Sequence, residues 1–277
     1  MISLLEAIVL GILQGITEFL PVSSSGHLVI MKNLFGMTEP DLFFDVMVHL
    51  GTLIPILLVF KRDLDRIFRK LIELITGMRS RNQLREMLTS DIQIRLISLI
   101  GVAILPSAIM GVFFKGFFEK LFASVFAVGI CLILTGILLS LTKVVTNPTK
   151  QIEDMTFFEA IVIGLFQALA IAPGISRSGA TISIALILGI NRELAGRFSF
   201  FIFIPAILGA IVLNFNFPES YALDYFSTIA VATTVAAITG YFALKVLLRF
   251  VYIGKLYLFS PYCYGIGLFA ILFGILK

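Results

Sequence analysis

Charge is scarce in this sequence. Only 14% of its 277 residues are Asp, Glu, Lys or Arg, against roughly 25% in a soluble globular domain. Cysteine occurs twice, as Cys131 and Cys263, each inside an apolar run. That spacing suggests neither a disulfide framework nor a metal site, and both read as small packing residues. The N-terminus lacks a basic n-region, and Glu6 sits early in the first apolar stretch, so no signal peptide is expected. The formal net charge is +4, but the basic residues gather in one loop. That is a membrane-topology pattern and not a nucleic-acid surface.

What the chain has in excess is apolar side chains, 59% of the total. They fall in long uncharged runs, so the solvent is lipid. Six runs reach the ~20 residues needed to cross a ~30 Å hydrocarbon core. They are 43–60, 96–114, 121–142, 198–218, 225–244 and 256–276. Two further regions are broken. Residues 4–19 and 27–37 flank Pro-Val-Ser-Ser-Ser-Gly, and 157–172 and 180–190 flank Pro-Gly-Ile-Ser-Arg-Ser-Gly. Arms this short rise only ~17–24 Å as helices. Each region is expected to be a re-entrant helical hairpin with an irregular tip at membrane depth, tolerated where protein or a wet cavity covers it.

The two hairpins are copies. A shift of 153 residues lays Glu6, Ala7, Ile8, Val9, Gly11 and Gln14 on Glu159, Ala160, Ile161, Val162, Gly164 and Gln167. It also lays Ser23, Ser25 and Gly26 on Ser176, Ser178 and Gly179. One hairpin plus three spans therefore occurs twice, over 1–145 and 153–277, within one membrane domain of residues 1–277. Three crossings is an odd number, so the second copy is inverted relative to the first. The expected fold is an all-α polytopic membrane protein of six transmembrane helices plus two re-entrant hairpins in an inverted-topology repeat.

Segment 61–95 carries nine basic residues: Lys61, Arg62, Arg66, Arg69, Lys70, Arg79, Arg81, Arg85 and Arg95. It is expected on the cytoplasmic side, with 143–156, 190–197 and 245–255. Both termini and the loops near 115–120 and 216–224 then lie outside. The hairpins enter from opposite faces, and their tips can meet.

Ionisable groups near the bilayer centre cost about 2.5–3.5 kcal/mol on insertion scales, which makes Glu18, His27 and Arg177 functional candidates. The bland alternative is one ion pair tying the hairpins together. Gln14 and Glu18 are spaced i, i+4 and share a helix face; a helix–helix hydrogen bond through Gln14 is the competing role. Ser23, Ser24 and Ser25 precede Gly26 and His27. They suit helix capping, a close approach to a ligand or an activated nucleophile, and His27 suits attack or proton donation. Ser176-Arg177-Ser178-Gly179 is the sharper signal. A Gly/Ser tip opening a helix favours anions, and Arg177 adds a fork for phosphate oxygens. Gly174 sits in the preceding break, and Thr181 adds a hydroxyl. Asp45 and His49 are expected to pair with each other or, since their span closely follows the first hairpin, to support the site from behind; Glu6 and Glu159 are expected to cap or sit at the interface.

Gln14-Gly-Ile-Thr-Glu18, Pro21-Val-Ser-Ser-Ser-Gly-His27 and Pro173-Gly-Ile-Ser-Arg-Ser-Gly-Ala-Thr181 together resemble the bacterial undecaprenyl-diphosphate phosphatase family over the whole chain. The resemblance implies an integral membrane enzyme that converts undecaprenyl diphosphate to undecaprenyl phosphate, the carrier for peptidoglycan. It also implies bacitracin resistance, a place in the bacterial cytoplasmic membrane with the site facing outward, and a divalent cation, Mg2+ or Ca2+. A homodimer is compatible with it. Its motifs carry catalytic roles onto Glu18, Ser24, His27 and Arg177, and cation binding onto Glu18. Substrate contacts are expected from Gln14, Ser23, Ser25, Gly26, Gly174, Ser176, Ser178, Gly179 and Thr181. Gln at position 14 removes one carboxylate from the cation site. Two other readings stay open: a polyprenyl-phosphate flippase or anion carrier, and a second membrane lipid-phosphatase family. The latter needs a second His followed by an Asp after its Ser-Arg, whereas His49 lies upstream of Arg177.

Overall fold

The computed structural model describes residues 2–37, 41–77, 91–214 and 223–276. Among them are twelve α-helices and two short 3-10 turns, with no strand beyond an isolated bridge between Lys150 and Ile190. In chain order the helices are α1 (Leu4–Phe19), α2 (Ser24–Leu34), α3 (Leu42–Val59), α4 (Lys61–Gly77), α5 (Ile92–Phe113) and α6 (Lys115–Phe122). They continue with α7 (Val125–Leu141), α8 (Phe157–Leu169), α9 (Arg177–Ile187), α10 (Arg192–Asn214), α11 (Leu223–Tyr252) and α12 (Ser260–Leu276). Helices α3, α5, α7, α10, α11 and α12 form the six segments long and apolar enough to cross a membrane. The chain is an all-α polytopic membrane protein.

The expected breaks are present, but the second arms start earlier than the sequence suggested. Helix α2 begins at Ser24 and α9 at Arg177, three residues before the expected 27 and 180. The cause is capping. Ser23 Oγ accepts the Gly26 N–H, and Ser176 Oγ accepts the Gly179 N–H, which satisfies a first-turn donor in each. Ser24 and Arg177 are therefore first-turn helix residues, held more firmly than loop residues would be.

The first arms start alike. Ser3 and Glu6 form a capping box on α1, and Thr156 and Glu159 form one on α8. The capping role expected of both glutamates holds, and Glu159 also meets Lys150 at 2.5 Å.

Several loops are instead helical. Segment 61–77 is α4, with Phe68, Ile72 and Ile75 exposed on one side and its charges elsewhere. An amphipathic helix of this kind suits the membrane interface. Of the expected basic loop, Arg79, Arg81 and Arg85 lie outside the described residues, as does most of the loop near 216–224. The short connection at 115–120 falls in α6. The span expected at 225–244 continues to Tyr252 as a 30-residue helix, because no Gly-Pro stop follows Leu244 and basic residues suit its last turns.

The packing crosses between the halves. Helix α1 lies on α11, its counterpart α8 lies on α5, and α7 packs on α12. Matched glycines make the close approaches. A Cβ on Gly11 would stand 2.6 Å from the Ala232 carbonyl oxygen, and one on Gly164 would strike the Ala103 carbonyl. Small residues at such crossings let backbones touch where lipid supplies no hydrophobic drive. The largest core cluster, with Phe19, Phe60, Phe198 and Phe200, sits against the broken tips.

Gly11→Ala and Gly164→Ala should each lower the thermal midpoint of the detergent-solubilised protein, at ~1–3 kcal/mol of overpacking. Gly101→Ala should not, because a Cβ there meets nothing within 4 Å. Scanning fluorimetry of the three variants checks this.

Candidate active site

The two breaks meet face to face. A Cβ on Gly26 would stand 2.9 Å from the Gly174 Cα, so only glycine allows the contact. Ser23 Oγ accepts the Gly174 N–H at 3.0 Å, and Ser178 donates its hydroxyl to the Phe19 carbonyl at 2.9 Å. Thr135 of α7 closes the second turn. It donates to the Gly174 carbonyl at 2.8 Å and accepts the Ser176 N–H at 2.9 Å. Gly174 has φ +99°, a conformation that glycine reaches freely. Ser23, at φ +68°, is the one non-glycine residue with positive φ among those described. Such a backbone costs ~1–3 kcal/mol and persists where its surroundings over-determine it.

Glu18 lies at the centre, 7% exposed. Its Oε1 accepts from Arg177 Nη2 at 2.8 Å. Its Oε2 accepts from Ser24 Oγ at 2.6 Å and from Gln14 Nε2 at 2.9 Å. The spacing of Gln14 and Glu18 thus places both on one volume, and the hydrogen bond of Gln14 runs along its own helix. A bond between helices is made by the repeat-matched Gln167, which donates to Ser107 Oγ at 3.2 Å. The Arg177 guanidinium carbon sits over the Phe203 ring of α10, 3.2 Å from its centroid. That contact restricts how the fork can move. Its Nη1 is buried without a hydrogen-bond partner, and so is Gln14 Oε1. Unsatisfied buried polar atoms are rare and call for an explanation.

His49 joins this cluster, the second of the two roles its sequence position allowed. The expected side-chain pair of Asp45 and His49 does not form. Asp45 instead binds Lys32 Nζ at 2.6 and 2.7 Å. His49 Nδ1 donates to the Asp45 backbone carbonyl at 2.7 Å, and Nε2 lies 3.6 Å from Glu18 Oε2. The i, i+4 spacing was real, but helix geometry delivered the ring to the backbone carbonyl and left the carboxylate for a lysine on α2.

His27 is separate from the Glu18 cluster. Its Nδ1 meets the Ser23 carbonyl at 2.8 Å and its Nε2 meets the Tyr262 hydroxyl at 2.8 Å. Tyr262 was absent from the sequence reading. It lies 235 residues away on α12 and belongs to no motif. Both ring nitrogens are engaged.

The remaining candidates divide. Ser176 caps α9, and Ser178 bridges to α1. Thr181 donates to the Arg177 carbonyl at 2.8 Å and stands 2.6 Å from Ser199 Oγ. These hydroxyls hold the scaffold. Ser25 is half-buried, with its hydroxyl 3.3 Å from that of Ser23. Gly26, Gly174 and Gly179 are close-approach positions.

Among the described residues no three His, Cys, Asp or Glu side chains converge as a metal cage. The oxygen set here is thinner but chemically suitable for a hard cation: the Glu18 carboxylate, the unpartnered Gln14 Oε1 and the Ser24 hydroxyl. Mg2+ commonly takes one or two protein carboxylates and completes its shell with water and substrate phosphate oxygens.

Known proteins resemble this chain along almost its full length. Relatives named undecaprenyl-diphosphatase include one from Desulforapulum autotrophicum, 44% identical over 273 residues, covering 98% of each chain. One from Alkaliphilus metalliredigens is 42% identical, again over 98% of each. One from Methanobrevibacter smithii is 37% identical over 96% of this chain and 95% of its own. The family model described as bacitracin resistance protein BacA matches residues 7–269, a range that holds Glu18, Ser24, His27, Arg177 and every partner described above, and the chain belongs to that family.

Proposed function

We propose that the chain is an integral membrane phosphatase that removes the terminal phosphate of undecaprenyl diphosphate. The products are phosphate and undecaprenyl phosphate, the lipid carrier for peptidoglycan. The observation that carries this reading is the Ser24 hydroxyl, 2.6 Å from Glu18 Oε2, beside an arginine with a free buried N–H. A nucleophile, its base and an anion clamp converge on one volume.

The fold argues for the chemistry in steps. Arg177 is held by Glu18 on one nitrogen and by Phe203 on its face, which aims Nη1 at an incoming phosphate oxygen. The N-termini of α2 and α9 turn their dipoles toward the same anion. Ser24 attacks the terminal phosphorus and its proton passes to Glu18 Oε2. The bridging oxygen departs with undecaprenyl phosphate and takes that proton, which restores the Glu18 carboxylate, while Arg177 stabilises the charge. Water then attacks the phosphoserine phosphorus and gives its proton to Glu18, and Ser24 Oγ leaves, takes the proton back and frees inorganic phosphate. Charge stabilisation and positioning supply most of the rate, as in phosphoryl transfer generally. Glu18, Gln14 Oε1 and Ser24 would hold a divalent cation, Mg2+ or Ca2+, which would supply charge neutralisation to the phosphate oxygens.

The membrane arrangement follows the repeat. The two helix-break-helix units act as re-entrant hairpins of an inverted repeat, 1–145 and 153–277. The basic segment at 61–95 faces the cytoplasm, both termini face outward, and the site opens to the outer face of the cytoplasmic membrane. A single chain supplies every residue of the cluster.

Purified protein in detergent should release phosphate from undecaprenyl diphosphate. Arg177→Ala should reduce that release by at least about 10²–10³-fold. It also strands a buried carboxylate, at ~3–5 kcal/mol of stability. The double variant Glu18→Gln with Arg177→Met removes both charges and should melt near the parent while remaining inactive. Full activity in either would overturn the assignment.

A chelator should abolish phosphate release, and added Mg2+ or Ca2+ should restore it. Gln14→Leu should raise the cation concentration for half-maximal activity by about tenfold, the effect of losing one of few oxygen ligands. An unchanged cation titration would remove Gln14 from the site.

A further inference from the structure

We infer that His27 is a positioning residue, fixed by Tyr262, whose task is to hold the backbone turn that delivers Ser24 to Glu18. The inference deepens the phosphatase reading above and rests on it.

A carbonyl oxygen only accepts, so the ring nitrogen 2.8 Å from the Ser23 carbonyl carries the hydrogen. Nε2 then presents a lone pair, and the Tyr262 hydroxyl donates to it at 2.8 Å. Phenol and imidazole lie parallel, 4° apart, with centroids separated by 5.7 Å. One hydrogen bond sets the tautomer and the other uses it. His27 therefore has no lone pair free for phosphorus and no hydrogen free for a leaving group.

What it holds is the strained residue. The Ser23 carbonyl accepts twice from His27, from the ring and from the backbone N–H at 3.2 Å. At the other end, Ser23 Oγ accepts from Gly26 N at 3.3 Å and Gly174 N at 3.0 Å. Positive φ at a serine survives because both ends are pinned. Ser24 is the next residue, so relaxation of Ser23 moves Ser24 Oγ off Glu18. A misplacement of about 1 Å at a reacting atom can cost about 10²-fold in rate.

The same helix supplies a design for the test. Asn33 Nδ2 donates to the Val29 carbonyl, four residues back, at 3.0 Å. Asparagine at 27 can make that bond to Ser23 in place of Nδ1–H, but it offers no imidazole. Glutamine places its amide where Nε2 lies and can reach only Tyr262.

Phosphate release and thermal midpoint would be measured for the parent, His27→Ala, His27→Asn, His27→Gln and Tyr262→Phe, with undecaprenyl diphosphate in detergent. The parent's activity tests the phosphatase reading separately. If the parent is active, His27→Ala and His27→Gln should each lose about 10²-fold or more in kcat. His27→Asn should recover to within about tenfold of the parent. Tyr262→Phe should lose about tenfold in kcat with KM unchanged, the scale of one hydrogen bond. His27→Asn as inactive as His27→Ala, with both folded by their midpoints, would overturn the inference and return His27 to the chemistry. If His27→Asn does not fold, Tyr262→Phe decides alone: parental kcat overturns the inference.

Discussion

Glu18 and Arg177 stand 2.8 Å apart although 159 residues separate them, and both are nearly sealed from solvent. Either one alone at this depth would be an uncompensated buried charge, worth several kcal/mol against folding. Together they offset each other's charge, and neighbours add to the pair. Gln14 and Ser24 donate to Glu18, His49 Nε2 lies 3.6 Å from it, and the Phe203 ring lies against Arg177. Each of these groups comes from a different stretch of chain, so the pair can form only when α1, α2, α3, α9 and α10 are all in place. The rest of the tip geometry answers to that requirement.

The backbone consequences are visible at Ser23 and Gly174. Two turns of the backbone must approach within van der Waals contact for a glutamate on α1 to reach an arginine on α9. Glycine at 26 and 174 permits the approach, and the Ser23 hydroxyl ties the two turns together. The strain at Ser23 is the local cost of this closeness, and His27 and Tyr262 are placed where they oppose its release. The hydroxyls of Ser176, Ser178 and Thr181 make contacts of the same kind. They satisfy buried donors and acceptors that lipid cannot satisfy.

Much of this was legible in the sequence because it is local. Hydropathy gave six spans, and the 153-residue repeat singled out the two Ser-Gly breaks. Gln14 and Glu18 share a face because i, i+4 spacing forces them to. Glu6 and Glu159 cap because each lies three residues after a Ser or Thr. Tertiary contacts were not legible. Tyr262 has no motif, and nothing near it in sequence marks it as the partner of His27. His49 was read with its nearest carboxylate, but the helix turned the ring toward the Asp45 carbonyl and Glu18, while Lys32 took the Asp45 side chain. Helix starts at 24 and 177 were misplaced by three residues because the serines cap earlier than the hydrophobic pattern begins.

The Glu18–Arg177 pair also bears on how such a site accepts a charged lipid headgroup. A diphosphate entering an apolar protein loses its hydration, and the site must replace it with fixed charges and dipoles. A site holding a lone arginine would be poorly stable when empty. A site whose arginine was fully satisfied would have no donor to offer. This one keeps Arg177 neutralised through Nη2 while Nη1 stays free, and keeps Glu18 neutralised while Gln14 Oε1 stays free. The two unpartnered atoms are of opposite character, a donor for an anion and an acceptor for a cation. On the proposed reading, phosphate and metal arrive as a neutralising pair and add to the existing ion pair without having to break it. The bland role of a structural tie and the functional role of a clamp are then held by the same two residues, using different atoms.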